Sequence, residues 1–536
     1  MKTSYLAAKD FLYIIPASLV LGAPLASIQG GNRLIGFLSF SFLLLLSITL
    51  LVTAYRWVNG GRVLALMIGV AFILRFAVGL SLYFALPIYG HDNDDSRAGY
   101  VFTDAHRRDD QAWKLATSDQ PILNAFSEKY ASDQYGGLLA FSAFVYRYLS
   151  PDAQRPLMLI LLSALFAALG IPFFWQAVSQ IFGERVAGVS TWIFALYPES
   201  ILLGSAIMRE PYLLTFSAMA LWGFVNRFHR AERSRRRSRS GLFWLAFGLL
   251  GMLLVSPVVA LFTLVIFAGW PFFSTERANI SWKAVLIFAV VFAVALFFLS
   301  ASLNRSGEFD TTSPLHVIND WLKLAVKWDA YQLERDSGWV QKIFDEGPKW
   351  IRLPFVTIYG VFQPVLPATI IYPTELIWKI IGILRAAGWY AMLPMLILSF
   401  VAAPGSGPGK TRAEPSRSII IWLALLVWIW ILLAALRGGG DLWDNPRYRT
   451  ILLVWQALLA GQVWVWWRET RNAWLVRIVA MEVVFVLAFA QWYASRYYYW
   501  GGHLPFAAMV GLILALWGLI LGWGWWRDQK SAGSRA

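Results

Sequence analysis

Apolar runs of 17–25 residues recur from one end of this 536-residue chain to the other, with no long polar linkers between them. A helix needs about 20 such residues to cross roughly 30 Å of hydrocarbon, and inside lipid it satisfies its own backbone hydrogen bonds. The strands of a β-barrel would instead alternate polar and apolar residues over about 10 positions. Composition agrees, since 58% of the residues are hydrophobic and 14% are charged. The sequence therefore predicts an all-α polytopic membrane protein.

About 12–14 transmembrane helices are predicted from these runs. The spans lie near 11–29, 34–55, 63–88, 157–181, 185–203, 210–226, 242–255, 257–274, 284–303, 377–401, 418–436, 451–467, 474–495 and 504–526. The stretch 242–274 is either one long helix or a hairpin broken at Ser256-Pro257. Residues 354–371 are apolar but contain three prolines, which favours a re-entrant or surface segment.

Charge sets the expected orientation. Between Arg227 and Gly241 the chain carries seven arginines and one acid, which predicts a cytoplasmic turn. Counting spans from there puts both termini in the cytoplasm. We expect the membrane to be the inner membrane of a prokaryotic cell. The net charge of +15 is thus attributed to membrane topology and contact with membrane lipids, and no nucleic acid partner is expected.

Two longer segments fall on the exterior side of this topology. They divide the chain into an N-terminal membrane module at 1–303 that includes the first exterior loop at 91–156, a second exterior loop at 304–376, and C-terminal membrane helices at 377–536. In the second loop, Trp321, Leu324, Ala325 and Trp328 follow helical spacing, which predicts a helix lying in the membrane interface. The chain has no cysteine, which excludes disulfides and thiolate metal sites.

Six charges fall inside the predicted spans beyond the first residue of each, where a charge needs a partner or a function. They are Arg75, Glu199, Lys379, Arg385, Arg477 and Glu482. Arg75 lies near the middle of its helix, and we expect either a functional role or an ion pair with Glu199 or Glu482. Lys379 and Arg477 are near helix ends, from which their side chains can reach the interface.

The first exterior loop is rich in carboxylates, which suits proton abstraction at the membrane surface. Helical spacing sets Trp113 beside Asp109, one turn away, with Asp110 next to it. Such an aromatic ring would form a wall for a sugar and shield the carboxylate from water. An ordinary solvated acidic loop is the alternative. Two histidines of this loop, His91 and His106, are interpreted as surface residues.

A divalent cation is a candidate cofactor of the same loop. Asp92, Asp94 and Asp95 cluster at its start, and carboxylate oxygens are ligands that Mg²⁺ and Mn²⁺ accept. The spacing does not name a metal, and no cofactor is certain from the sequence.

The motif Asp109-Asp110-x-x-Trp113 after an early membrane helix resembles the first exterior loop of C-type (GT-C) membrane glycosyltransferases. These include the protein O-mannosyltransferases, the aminoarabinose transferases and relatives of the rhizobial lipopolysaccharide sugar transferases. In that family the first acid of the pair is the catalytic carboxylate, which falls on Asp109, and Trp113 stands where Tyr is usual. The register leaves Asp104 and Asp110 as alternatives for this role.

Further parts of the chain carry the same resemblance. Pro198 and, about a dozen residues later, Glu210 at a helix start are similar to the family's second acidic element. The arginine-rich turn and the Ser256-Pro257 break follow in the expected order, and Asn445-Pro446-Arg447-Tyr448 resembles a later Arg-Tyr element. The resemblance implies a GT-C-like bundle with two larger exterior loops.

The resemblance also implies a sugar transferase with a polyprenyl-phosphate-linked donor, Asp109 as general base and inversion at the anomeric carbon. The acceptor hydroxyl would belong to a lipid, a glycan or a protein. No P-loop or Gly-rich dinucleotide motif is present to hold a soluble nucleotide sugar. Candidate cations for the donor phosphate are Arg447, Arg449, Arg209 and Arg496, and Glu210 is a candidate second acid of the substrate site. Glu210 is otherwise a first-turn acid favoured by the helix dipole. Two rival functions remain, a transporter or flippase of lipid-linked glycans and a polymerase or ligase of such glycans.

Overall fold

The computed structural model describes residues 8–127, 130, 136–229, 235–273, 348–402 and 417–533, and these residues form helices and no strand. In the N-terminal part the α-helices are Ala8–Ile28, Arg33–Val58, Gly61–Tyr89, Asp94–Arg97, Thr103–Thr117, Gly137–Leu149, Pro156–Leu196, Pro198–Gly204, Glu210–Phe224, Arg235–Val255 and Pro257–Phe273. In the C-terminal part they are Arg352–Phe362, Leu366–Ile371, Leu376–Leu398, Arg417–Gly438, Asp444–Thr450, Leu453–Thr470, Ala473–Tyr497 and Phe506–Gly533.

The all-α membrane architecture predicted from the apolar runs is confirmed. By length and composition, eight helices of the described residues can cross a membrane, or nine if the bent pair Asp444–Thr450 and Leu453–Thr470 is one span. Pro156–Leu196 contains Gly183 at φ 80°, a conformation that breaks the helix between the predicted spans 157–181 and 185–203. The span predicted at 284–303 and the interfacial helix predicted around Trp321 lie outside the described residues.

Proline-containing segments break where the sequence indicated. One helix ends at Val255 and the next begins at Pro257, so the stretch 242–274 is two helices, because proline cannot continue the hydrogen-bonding pattern. Residues 354–371 form two short helices, Arg352–Phe362 and Leu366–Ile371, neither long enough to cross the bilayer.

Pro156–Leu196 is the centre of the bundle, is mostly buried, and packs against Gly61–Tyr89, Glu210–Phe224 and Leu453–Thr470. Small residues allow close approach elsewhere. A Cβ at Gly223 would collide with the Leu245 backbone nitrogen, and one at Gly248 would collide with the Phe216 carbonyl oxygen. These glycines allow the two helices that flank the arginine-rich turn, Glu210–Phe224 and Arg235–Val255, to pack closely against each other.

Contacts between connecting segments agree with the predicted alternation of sides. At one end, Asn32 donates its backbone N–H to Asp152 at 2.6 Å, and both residues belong to connections predicted to be exterior. At the other, Arg56 pairs with Asp10 at 2.5 Å, and both are predicted to be cytoplasmic. Which of these ends faces the cytoplasm stays a prediction from the arginine-rich turn.

The buried charges inside the bundle pair differently from our expectation. Arg385 donates to both carboxylate oxygens of Glu199, at 2.5 and 3.0 Å, and both side chains are 1% exposed. Arg75 instead donates to Ser200 Oγ and to the Ala195 carbonyl, each at 2.9 Å. The predicted pairing of Arg75 with Glu199 or Glu482 is therefore wrong, because Arg385 reaches Glu199 from another helix.

Candidate active site at the first exterior loop

The acidic motif lies on Thr103–Thr117, here called the first-loop helix, which packs against Gly137–Leu149. Its buried face comprises Ala105, Arg108, Asp109, Ala112, Leu115 and Ala116. Trp113 follows Asp109 by one turn and meets the ring of Tyr146 edge-on, with centroids 5.6 Å apart. Tyr146 also contacts Asp109, so the predicted helix is present with Asp109 and Trp113 facing the same neighbour.

Asp109 is completely enclosed and accepts three hydrogen bonds. Tyr146 donates its hydroxyl to Oδ1 at 2.5 Å, while Tyr100 and Gln154 each donate to Oδ2 at 2.6 Å. The exposed fraction of Asp109 is 0%, and those of Tyr100 and Tyr146 are 8% and 0%. A carboxylate so deeply buried needs such donors, because an unpaired buried charge is strongly unfavourable.

Burial raises the pKa of Asp109 to about 6, and the three donated hydrogen bonds offset only part of that effect. Burial together with the neighbouring Asp109 carboxylate raises the pKa values of Tyr100 and Tyr146, so both phenols keep their protons. Of Asp109, Tyr100 and Tyr146, Asp109 is the group whose pKa lies near neutral pH, which is compatible with a general base.

Asp110 connects this buried carboxylate to the loop surface. Its side chain is 44% exposed, and the Gln154 amide that binds Asp109 also donates to Asp110 Oδ1 at 3.3 Å. His106, one turn earlier, has Nε2 at 3.8 Å from Asp110 and Nδ1 at 2.7 Å from Asp95. His106 also stacks on Tyr100 with ring centroids 4.6 Å apart. The His106 side chain is 22% exposed and is held between two carboxylates at the candidate site, contacts that the sequence did not indicate.

Asp104 joins the first-loop helix to a distant part of the chain. Arg447 donates to it at 3.0 Å, across 343 positions of sequence, and Arg107 donates to it at 2.7 Å. Burial acts to raise the pKa of Asp104, but the positive charges of Arg447, Arg108 and Arg107 outweigh it and hold the pKa below its usual value. Asp104 is thus an ionised anchor for Arg447 and a weaker base than Asp109.

Glu210 lies at the same cluster and is fully buried at the start of its helix. Its Oε1 is 3.4 Å from Nε of Arg447 and 3.6 Å from Nε of Arg209. Neither Glu210 oxygen has a hydrogen-bond donor within the described part of the chain, and the Nε–H of Arg447 has no acceptor there. Arg447 also lies 3.4 Å from Asp444. Three segments that the sequence predicted to be exterior therefore meet around Arg447.

Arg449 and Arg496 have other surroundings. Arg449 is 1% exposed, stacks on the Trp389 ring at 3.4 Å and donates to the Gln363 carbonyl at 2.9 Å. Arg496 lies over the Trp492 ring at 3.9 Å. Of the predicted phosphate cations, Arg447 and Arg209 are the two that lie beside Glu210.

The predicted metal cluster at the start of the loop does not form. Asp92 pairs with Arg97 at 2.5 Å, and Asp95 accepts from Thr103 at 2.6 Å as well as facing His106. The Asp94 side chain is 95% exposed. Among the described residues no group of three or more His, Asp or Glu side chains could hold a metal ion. These carboxylates do not fit Mg²⁺ or Mn²⁺, and no step is assigned to a cation.

The sequence did not indicate Tyr100, Tyr146 or Gln154 as site residues. They lie 9, 37 and 45 positions from Asp109 and reach it only through the packing of the loop. Only Tyr146 could have been inferred from the sequence. It lies in an apolar helix that is too short to span the membrane, and a buried tyrosine hydroxyl in such a helix needs a hydrogen-bond partner.

Comparisons with known proteins give one structural match. No family model and no curated protein matches the chain. Among solved structures, the archaeal oligosaccharyltransferase AglB from Archaeoglobus fulgidus, in complex with an inhibitory peptide and a dolichol-phosphate, matches with a TM-score of 0.35 and 13% identity. The match covers 86% of this chain and 54% of that chain, so this chain spans about half the length of the archaeal one. This TM-score is too low to establish a common fold.

Proposed function

We propose that the protein is an integral membrane glycosyltransferase of the GT-C kind that moves a sugar from a polyprenyl-phosphate carrier to an acceptor hydroxyl on the extracytoplasmic side. The observation that carries the proposal is the enclosed Asp109 carboxylate, whose pKa burial raises to about 6, on a loop helix that also contacts Arg447. The resemblance of the Asp109-Asp110-x-x-Trp113 motif to that family supports the same function.

Asp109 is the proposed general base. At neutral pH a carboxylate with a pKa near 6 is mostly ionised and is a stronger base than an ordinary surface aspartate. It would take the acceptor hydroxyl proton while the hydroxyl oxygen attacks the anomeric carbon. The bond from that carbon to the phosphate oxygen then breaks, polyprenyl phosphate leaves, and this single displacement inverts the anomeric configuration.

Arg447 and Arg209 are the proposed cations for the donor phosphate. Both lie within 4 Å of Glu210, at 3.4 and 3.6 Å, close to the ends of membrane helices where a lipid-linked donor would arrive from the bilayer. An arginine can bind phosphate with two parallel hydrogen bonds. Phosphate would replace the weak contact of Arg447 with Asp444, while Asp104 keeps the guanidinium in place.

Glu210 and Trp113 are the proposed contacts of the sugar. The oxygens of Glu210 lack donors among the described residues, and sugar hydroxyls can supply such donors. Trp113 is partly exposed, and its ring would contact the apolar face of a sugar. Asp110, half-exposed beside Asp109, is assigned to positioning the acceptor.

The proposal is tested with purified protein in liposomes that contain radiolabelled short-chain polyprenyl-phosphate hexoses and pentoses. Envelope lipids, glycans and a peptide extract are offered separately as acceptors. We expect labelled glycoside together with one equivalent of free polyprenyl phosphate, and at least about 10²-fold slower formation of both by Asp109→Asn. Label that crosses the bilayer unchanged would identify a flippase and refute the transferase. Joining of whole lipid-linked glycans without transfer of a single sugar would identify the polymerase or ligase instead.

A further inference from the structure

Asp109 cannot reach a substrate in the arrangement described, because its side chain is fully enclosed, with Tyr100, Tyr146 and Gln154 donating to its oxygens. One of these three side chains has to move before an acceptor hydroxyl can approach the carboxylate. Tyr100 and Tyr146 are buried in the packing of the loop, which leaves them little room to move. Gln154 is the most exposed of the three, so its side chain is the one that can move toward solvent.

Gln154 already donates to a second acceptor. Its amide nitrogen is 2.6 Å from Asp109 Oδ2 and 3.3 Å from Asp110 Oδ1, and an amide carries two hydrogens. A small rotation of the side chain therefore exchanges one carboxylate for the other without leaving the amide unpaired. No such exchange is open to a tyrosine hydroxyl, which has a single hydrogen to donate.

The backbone at Gln154 is firmly held, so the rotation is confined to its side chain. The next residue, Arg155, is 0% exposed and donates to Ser150 Oγ at 2.6 Å, to Asp152 at 2.7 Å and to the Asn32 carbonyl at 3.0 Å. These contacts tie the turn before Pro156 to the connection between the first two membrane helices.

We propose that Gln154 is a positioning residue that covers Asp109 in the resting protein and moves its amide to Asp110 when the acceptor hydroxyl takes its place. This inference rests on the proposed function for its purpose, but the covering itself can be measured without any sugar transfer. In the resting state the amide keeps the base away from water, and in the working state it holds Asp110 beside the acceptor.

The direct test is the rate at which a hydrophobic carbodiimide modifies Asp109 at pH 6. Cleavage after Arg108 and Lys114 releases the peptide 109–114, in which fragmentation separates label on Asp109 from label on Asp110. Removing a hydrogen bond to a charged group changes the equilibrium between the covered and uncovered forms of Asp109 by roughly tenfold or more. We therefore expect Gln154→Ala and Gln154→Met, which keeps the side-chain length without the donor, to label Asp109 about tenfold faster than wild type.

Gln120→Ala is the matched control, because Gln120 lies on the same loop and engages its neighbours through its backbone. It should label at the wild-type rate. Unchanged labelling of Asp109 in both Gln154 variants overturns the proposal, and so does faster labelling of the alanine variant alone, which would mean that side-chain volume rather than the amide covers the base.

Kinetics separate positioning from a structural role. If Gln154 acts as proposed, Gln154→Met lowers the acceptor KM, since the acceptor no longer displaces an amide. It also moves the acid limb of the pH profile upward from about pH 6, because the lost hydrogen bond had favoured ionised Asp109. A lower kcat with unchanged KM and pH profile contradicts the proposal. If the Gln154 variants label faster but the protein transfers no sugar, the proposed function is refuted, while the proposal that Gln154 covers Asp109 still holds.

Discussion

Asp109→Asn keeps the size of the side chain and removes the proposed base. A general base typically contributes roughly 10²–10⁴-fold in rate, so we expect turnover to fall by at least about 10²-fold. Donor binding should stay near normal, because the phosphate contacts proposed for Arg447 lie on another segment of the chain. Wild-type turnover should fall about tenfold per pH unit below about pH 6, where Asp109 becomes protonated.

The same substitution also changes how the stability of the fold depends on pH. A rise of the Asp109 pKa from 3.8 to about 6 corresponds to about 3 kcal/mol that disfavours the ionised carboxylate in the folded protein. A raised folded pKa stabilises the fold below the unfolded pKa, and that stabilisation is lost as the pH rises through the folded value. Wild type should therefore lose stability between about pH 4 and pH 6, and Asp109→Asn should not.

The assay combines sugar transfer in liposomes with thermal unfolding in detergent across pH 4 to 8. Asp110→Asn and Asp104→Asn accompany the main variant, and we expect a smaller loss from Asp110→Asn, which affects positioning. If Asp109→Asn keeps turnover close to wild type while Asp104→Asn is inactive, the base is Asp104 and our assignment is refuted. If all three variants stay active, the acidic loop is solvated surface.

Three further outcomes are expected. Arg447→Ala should raise the apparent donor KM strongly, with Arg447→Lys in between because lysine keeps the charge but not the planar fork, and unchanged donor dependence would move the phosphate role elsewhere. A cysteine at Ser118 should react with an impermeant maleimide from outside and one at Ser234 should not, which the absence of native cysteine makes directly measurable, and the reverse pattern would invert the topology. Glu199→Gln should lower the unfolding temperature, because it leaves Arg385 charged and unpaired at a cost of about 3–5 kcal/mol, whereas replacing both residues by apolar ones should cost less. If the single and the double replacement lower the unfolding temperature equally, the unpaired Arg385 charge is not the cause of the loss.

The membrane architecture was predictable because span length and apolar composition are set locally by the bilayer. The first-loop helix was predictable for a similar reason, since the spacing of Asp109 and Trp113 is a local helical pattern. The break at Ser256-Pro257 follows from proline chemistry, which also acts within a few residues.

Contacts between distant segments were not predictable in this way. Arg75 and Arg385 look alike in sequence, and only the packing of the bundle decides which one reaches Glu199. Asp92 and Asp95 suggested a metal site only because several carboxylates are close together in the sequence. In the structure, Arg97 pairs with Asp92 and His106 pairs with Asp95, so these carboxylates are already engaged.

The most direct test of sugar transfer at Asp109 is an experimental structure with an acceptor and a non-cleavable phosphonate analogue of a polyprenyl-phosphate sugar. We predict the phosphonate in hydrogen-bond contact with Arg447 or Arg209, and the acceptor hydroxyl about 3 Å from Asp109 in the place that the Gln154 amide leaves. An analogue bound at the opposite end of the bundle, or an acceptor bound away from the first-loop helix, would contradict the account.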